Sequence, residues 1–233
     1  MNRVLATARM HLAHPLVILG IPWMVVGISF AINLPIWALS DIGEQPGNEN
    51  TTGGLASLYV TVLVVFIQAV TQMFPFAMGV SLSRRVFYAG TALVAAVQAL
   101  GYGFALTVLD AVEHATGGWG VGLHFWAPGW LDVGNPALQV LVYALPMLGC
   151  AFLGIAIGVA YKRWGATGVW TLTLGTLVLL GGGAVVITGL NGWLEVGRWL
   201  TDQSVYAYTL LLPAVAAAIL AGLSWAGLRR AVP

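Results

Sequence analysis

The stretch ALQVLVYALPMLGCAFLGIAIGVA, residues 137–160, runs for 24 positions without a charged side chain. A helix needs about 20 mainly apolar residues to cross the hydrocarbon core of a bilayer. Five more stretches of similar character occur in the chain, at about 16–39, 55–79, 89–110, 167–190 and 205–227. We therefore predict an all-α polytopic membrane protein in which residues 1–233 form one domain of six transmembrane helices.

The overall composition supports a membrane protein. Hydrophobic residues make up 59% of the chain and charged residues 7%, with a mean hydropathy of +0.90. A soluble domain carries about 25% charged residues, so this chain could not cover its surface in water. We expect a lipid bilayer as its surroundings and no nucleic acid as a partner. The single cysteine, Cys150, excludes an internal disulfide.

Charge is divided between the two sides of this six-helix arrangement. One side receives eight of the nine basic residues: Arg3, Arg9, Arg84, Arg85, Lys162, Arg163, Arg229 and Arg230. The other side receives all the acidic residues: Asp41, Glu44, Glu49, Asp110, Glu113, Asp132, Glu195 and Asp202. Lysine and arginine accumulate on cytoplasmic loops, so we predict both termini in the cytoplasm. The arginine-rich, Ala-, Gly- and Val-rich composition favours a bacterial plasma membrane.

Three segments outside the spans have some helical or apolar character. Residues 1–15 carry basic groups ahead of a long apolar run, and we predict an N-terminal interfacial helix followed by a retained first span. The outer segments 116–130 and 191–203 are rich in tryptophan and apolar residues. We predict that they form short interfacial or re-entrant helices.

Several kinds of chemistry are missing from the chain. A phosphate-binding loop needs a Gly-Lys-Ser/Thr sequence, but the only lysine, Lys162, lies between Tyr161 and Arg163. No charged residue falls well inside a predicted span, which disfavours a proton- or ion-driven transporter. The histidines lie outside the spans and suggest no metal site. We therefore predict that the chain is not an enzyme and holds no cofactor, and that any ATP is bound by a partner subunit.

Uncharged polar residues concentrate in the second and third spans. They are Gln68, Thr71, Gln72 and Gln98. Gln68 and Gln72 share one helix face because they are four residues apart. These amides either join helices by hydrogen bonds or line a translocation path. Gly154 and Gly158 form a G-x-x-x-G pair, which permits close helix packing either within the chain or between two chains.

The turn between the second and third spans is the most specific motif. Its run Gly79-x-Ser81-x-x-Arg84-Arg85-x-Phe87-x-x-Gly90-Thr91 resembles the same region in permease subunits of type-2 ABC exporters. Residues 83–88 are predicted to form a short amphipathic helix in the interface plane. The resemblance implies that this is a coupling helix, which docks on the ATPase subunit.

The resemblance also implies a mechanism and partners. Two permease copies, or this one with a related subunit, would sit on two ABC ATPase subunits and export a drug, antibiotic, peptide or lipid. The residues expected to contact the ATPase are Ser83, Arg84, Arg85, Phe87 and Tyr88, with Lys162 and Arg163 as a weaker second contact. The alternatives are a non-transporting membrane scaffold or sensor subunit and, with less support, an intramembrane enzyme.

Overall fold

The computed structural model describes residues 3–13, 15–40, 51–126 and 133–231, apart from the side chains of residues 200 and 201. Most of these residues are helical, and there is no β-strand among them. The helices are α1 (Arg3–His11), α2 (Ile21–Leu39), α3 (Ala56–Gly79), α4 (Arg84–Ala115), α5 (Pro136–Gly189), α6 (Trp193–Thr201) and α7 (Leu212–Leu228). Wider π-helical turns at Leu16–Gly20 and Ala207–Leu211 lead into α2 and α7. The predicted all-α fold is confirmed for this part of the chain.

Five helical segments are long and apolar enough to cross a membrane. They are Leu16–Leu39, Ala56–Gly79, Arg84–Ala115, Pro136–Gly189 and Ala207–Leu228. Their apolar composition identifies a multi-pass membrane protein. The predicted loop between the fourth and fifth spans is reduced to a kink, because α5 consists of two helical parts that meet at a single non-helical residue, Gly165 (φ 68°, ψ −163°). Glycine adopts this conformation at little cost, so the helix resumes in the next residue.

The first part of α5 forms the centre of the bundle and packs against α3, α4 and α7. Its glycines allow the close approach to α3. A Cβ atom on Gly154 would overlap the carbonyl oxygen of Leu63, and one on Gly158 would lie 2.8 Å from Cβ of Val70. The G-x-x-x-G pair therefore serves packing within the chain, which decides between the two interpretations left open by the sequence.

The N-terminal helix α1 exists, but it runs along α4. Thr7 lies against Gly90, and Nε2 of His11 is 2.9 Å from the hydroxyl of Thr91. Further along, Nε2 of Gln98 donates to the carbonyl of Ile18. Each N-terminal residue thus meets a residue about 80 positions later, so the segment from α1 into α2 and helix α4 advance in parallel. Gly90 permits the close approach of α1 to α4, because a Cβ atom there would lie 2.7 Å from Cβ of Thr7.

The outer segments differ from each other. Residues 193–201 form α6, so the helix predicted within 191–203 is confirmed. Residues 118–122 instead make one wide turn, because Gly117, Gly118, Trp119, Gly120 and Gly122 all have positive φ. The short helix predicted there is wrong for the residues up to 126, and residues 127–130 lie outside the described part of the chain. The predicted first outer loop, with Asp41, Glu44 and Glu49, also lies outside it.

Candidate functional site

The turn between α3 and α4 is shorter than predicted. Helix α3 ends at Gly79, Ser81 takes a left-handed conformation (φ 58°), and the hydroxyl of Ser83 accepts a hydrogen bond from the Val86 amide to begin α4. Residues 84–88 are therefore the first residues of a 32-residue helix. The prediction of a separate coupling helix is wrong, because a serine N-cap lets α4 start immediately after the turn.

The predicted ATPase-contacting residues point in different directions. Phe87 is fully buried, with its ring 5.5 Å from that of Phe74 and 5.9 Å from the imidazole of His11. The hydroxyl of Tyr88 donates to the carbonyl oxygen of Ala221 on α7 at 2.6 Å. Both aromatic side chains therefore connect the turn to neighbouring helices, Phe87 from a buried position and Tyr88 from a half-buried one.

The basic residues and Ser83 remain near the surface. Ser83 and Arg85 are exposed, whereas Arg84 is half-buried and its Nη1 donates to the carbonyl oxygen of Arg229 at 2.6 Å. At the predicted second contact, Lys162 and Arg163 are half-buried, and the guanidinium of Arg163 lies 4.4 Å from the ring centre of Trp164.

Three of the four predicted pathway residues share one helix face. Gln68 and Gln72 are exposed on α3, and Thr71 lies between them with its hydroxyl donating to the Ile67 carbonyl. Beside them is a groove of about 490 Å³ between α3 and both parts of α5. Its lining residues are Ile67, Thr71, Ile157, Tyr161, Ala166, Val169 and Trp170.

Gln98 is separate from this face and has a structural partner. It is 4% exposed, and its Nε2 donates to the carbonyl oxygen of Ile18 at 2.9 Å. In a regular helix that carbonyl would accept from the residue four positions later, but Pro22 has no N–H. Gln98 therefore satisfies a carbonyl that a proline leaves without its usual donor, and it joins α4 to the N-terminal part of the chain.

Sequence reasoning missed a buried polar cluster at the opposite end of α4. Asp110 is 7% exposed and Glu113 is fully buried. Oδ1 of Asp110 lies 2.8 Å from Nδ1 of His114, and the Tyr143 hydroxyl donates to Oδ2 at 3.0 Å. The same hydroxyl is 3.1 Å from the carbonyl oxygen of Trp126. Asp110 and Tyr143 thus connect α4, α5 and the outer segment.

Glu113 fastens the outer segment to the end of α4. Its Oε2 accepts hydrogen bonds from Nε1 of Trp119 at 2.8 Å and from the amides of Phe125 and Trp126 at 3.0 and 3.1 Å. Nδ1 of His124 lies 3.9 Å from Oε1. Several N–H donors around one carboxylate compensate for the loss of hydration on burial. The aromatic side chains of this segment then pack on Phe30 of α2.

A signal for this cluster was present in the sequence. Asp110, Glu113 and His114 have the i, i+3, i+4 spacing that places side chains on neighbouring positions of one helix. The distant members, His124 and Tyr143, have no such pattern because only folding brings them near. Within the described part of the chain, no group of three or more His, Cys, Asp or Glu side chains has an arrangement suited to a metal ion.

Comparison of the chain with protein families, with curated proteins and with solved structures finds no match.

Proposed function

We propose that this chain is the membrane-spanning permease subunit of an ATP-driven ABC exporter of the type-2 class. The observation that carries the proposal is the attachment of the basic turn to the rest of the bundle. Tyr88 hydrogen-bonds to α7, Phe87 packs against His11 of α1, and Arg85 remains exposed beside them. A force applied at Arg85 would therefore reach three helices, as coupling to a separate ATPase requires.

A six-span topology with both termini in the cytoplasm fits the helix lengths. Helix α5 consists of two helical parts on either side of the kink at Gly165. Residues 136–164 and 166–189 would each span about 35–45 Å at 1.5 Å per residue, which exceeds the hydrocarbon thickness of about 30 Å. The break at Gly165, next to Lys162 and Arg163, divides α5 into two segments that each match one crossing. All basic residues except Arg198 would then face the cytoplasm.

A second permease copy is supported by the surface that one copy leaves uncovered. The second part of α5 is exposed almost all around, and Leu177, Val178 and Leu179 are 61–77% exposed. Gln68 and Gln72 are exposed on α3. Amides facing hydrocarbon are costly without a partner, and hydrogen bonds across a helix interface would satisfy them. In this arrangement Gln68, Thr71 and Gln72 would line the path between two copies, and Gln98 would not.

The proposed cycle uses ATP in the partner subunit. Nucleotide binding would draw the two ATPases together and move the turns that carry Ser83 and Arg85. The attached helices would then change the access of the path from the cytoplasm to the outer side. A path with amides and no charged groups suits an amphipathic substrate, such as a drug, peptide or lipid. The protein would reside in a bacterial plasma membrane.

The decisive experiment is mild-detergent purification of the tagged chain from its native host, with identification of co-purified proteins. The proposal expects a stoichiometric subunit with a phosphate-binding loop. Arg85→Glu should reduce its recovery at least tenfold, whereas Arg3→Glu, an equal charge change on the exposed side of α1, should leave it unchanged. Recovery of the chain alone, or with a partner that is not an ATPase, would contradict the proposal and favour a scaffold or sensor subunit.

A further inference from the structure

The hydrogen bond between Arg84 and Arg229 brings together two pairs of basic residues that are far apart in the sequence. Arg84 begins α4, and Arg229 immediately follows α7. Nη1 of Arg84 reaches the carbonyl oxygen of Arg229 at 2.6 Å. Arg85 and Arg230 adjoin these residues in the chain. We call Arg84, Arg85, Arg229 and Arg230 the arginine cluster.

The described residues supply no countercharge for the arginine cluster. Their acidic members, Asp110, Glu113, Glu195 and Asp202, belong to the opposite ends of the helices. Arg85, Arg229 and Arg230 are exposed. The N-terminus of α4 adds a partial positive charge at the same place, and the C-termini of α3 and α7 add partial negative charges that do not neutralise four guanidinium groups. Like charges gathered in this way repel one another, so the cluster creates a strong local preference for an anion.

The surroundings of the arginine cluster indicate where that anion comes from. Val80, four residues before Arg84, and Leu223, six residues before Arg229 on α7, are apolar side chains with 53% and 62% of their surface exposed. The guanidinium of Arg229 lies 5.9 Å from the ring centre of Trp225. Tryptophan next to basic residues at a helix end is typical of the headgroup level. The arginine cluster therefore lies between an apolar surface and water.

We propose that the arginine cluster binds the headgroup phosphate of an anionic phospholipid, whose acyl chains lie along Val80 and Leu223. Guanidinium groups form paired hydrogen bonds with phosphate oxygens, which suits a phosphodiester better than a diffuse charge. A bound lipid would link the start of α4 to the end of α7 and reinforce the Arg84–Arg229 contact. The inference does not depend on the transport function, because it concerns only the chain and its lipids.

The test measures lipids retained by the purified chain in mixed micelles of phosphatidylglycerol and phosphatidylcholine, using native mass spectrometry. The variant Arg85→Gln/Arg230→Gln keeps the Arg84–Arg229 hydrogen bond and so protects the fold. Each basic residue near an anionic surface contributes about 1 kcal/mol, so the preference for phosphatidylglycerol should fall about 30-fold in this variant. Lys162→Gln/Arg163→Gln is the matched control, because it removes two positive charges from the other basic pair, and a specific site at the arginine cluster predicts a clearly smaller loss of preference there.

Three results would overturn the proposal. One is an unchanged lipid preference in Arg85→Gln/Arg230→Gln. Another is full displacement of phosphatidylglycerol by millimolar inorganic phosphate, which would indicate a site for free phosphate. The third is a variant that keeps its lipid but loses a protein partner, which would identify an acidic protein surface as the occupant. Failure of the ATPase co-purification would leave this lipid assay unaffected, so the two proposals fail separately.

Discussion

The two ends of α4 both fasten a neighbouring segment, but they do so with opposite chemistry. At one end, Tyr88 donates to a backbone carbonyl oxygen of α7 and the half-buried Arg84 to that of Arg229, while Arg85 stays exposed. At the other end, Glu113 and Asp110 are buried and accept hydrogen bonds from the outer segment, His114 and Tyr143. Removing a hydrogen-bond partner costs more stability at a buried carboxylate than at an exposed guanidinium.

Removing the Glu113 carboxylate should have the largest effect on stability. Glu113→Ala leaves the Trp119 indole N–H and the amides of Phe125 and Trp126 without their acceptor, at a cost of about 1–3 kcal/mol each. We expect a loss of at least about 3 kcal/mol in the free energy of unfolding, measured by thermal or chemical denaturation in detergent. Glu195→Ala, on the exposed surface of α6, should change it by less than about 0.5 kcal/mol. Equal effects of the two variants would show that Glu113 does not fasten the outer segment.

Tyr143 and Tyr88 allow a direct comparison of the two ends. Tyr143→Phe removes the donor to the buried Asp110 carboxylate, so we expect a loss of about 2 kcal/mol, within the range for hydrogen bonds to charged groups. Tyr88→Phe removes a donor to the neutral Ala221 carbonyl and should cost about 1 kcal/mol. The unfolding free energies of both variants in one detergent provide the measurement. A larger loss for Tyr88→Phe would reverse the ranking of the two ends.

The α1 contact should weaken in acid because of His11. Burial lowers the pKa of His11 from 6.5 to about 4. The folded-state pKa is below the unfolded value, so the stability that neutral His11 contributes is complete above pH 6.5 and is lost as the pH falls towards 4. In this range the free energy of unfolding falls by at most about 1.4 kcal/mol per pH unit. Amide hydrogen exchange of α1 should therefore accelerate from pH 6.5 to 5 after correction for intrinsic rates.

His11→Gln separates this effect from that of any other group that titrates in the same pH range. The amide side chain can still reach Thr91 but does not titrate. Its α1 exchange should be independent of pH after the same correction. A pH dependence that persists unchanged in the variant would assign the effect to another group.

Arg85 should have the smallest effect on stability. Its side chain is exposed at the end of the bundle, so Arg85→Gln is expected to change the free energy of unfolding by less than about 0.5 kcal/mol. Thermal denaturation in a neutral detergent measures this, without anionic lipid or partner. A loss above 1 kcal/mol would mean that the N-terminal end of α4 depends on its charged residues as strongly as the C-terminal end does, and the comparison would fail.

Composition and hydropathy determined the class of this protein. Long apolar stretches with 7% charged residues indicate membrane-facing helices, because a stretch of more than 20 apolar residues matches a spanning helix, whose backbone groups are all satisfied within the helix, and is about twice as long as a spanning strand. Their approximate bounds were also predictable, since the ends coincide with glycine-rich turns and charged residues. The interruption near residue 165 was predicted as a loop, but in the structure the single non-helical residue Gly165 interrupts the helix.

The roles of individual polar residues depended on the tertiary structure. Gln68 and Gln98 looked equivalent in the sequence, yet one is exposed and the other satisfies the carbonyl that Pro22 leaves without its usual donor. Phe87 looked like a surface residue of an interfacial helix, but α1 covers it. Glu113 looked like a loop charge, although its hydrogen-bond donors lie 6–13 residues later in the chain. Hydropathy depends on each residue's own side chain, whereas burial and hydrogen bonding depend on which distant segments fold against it.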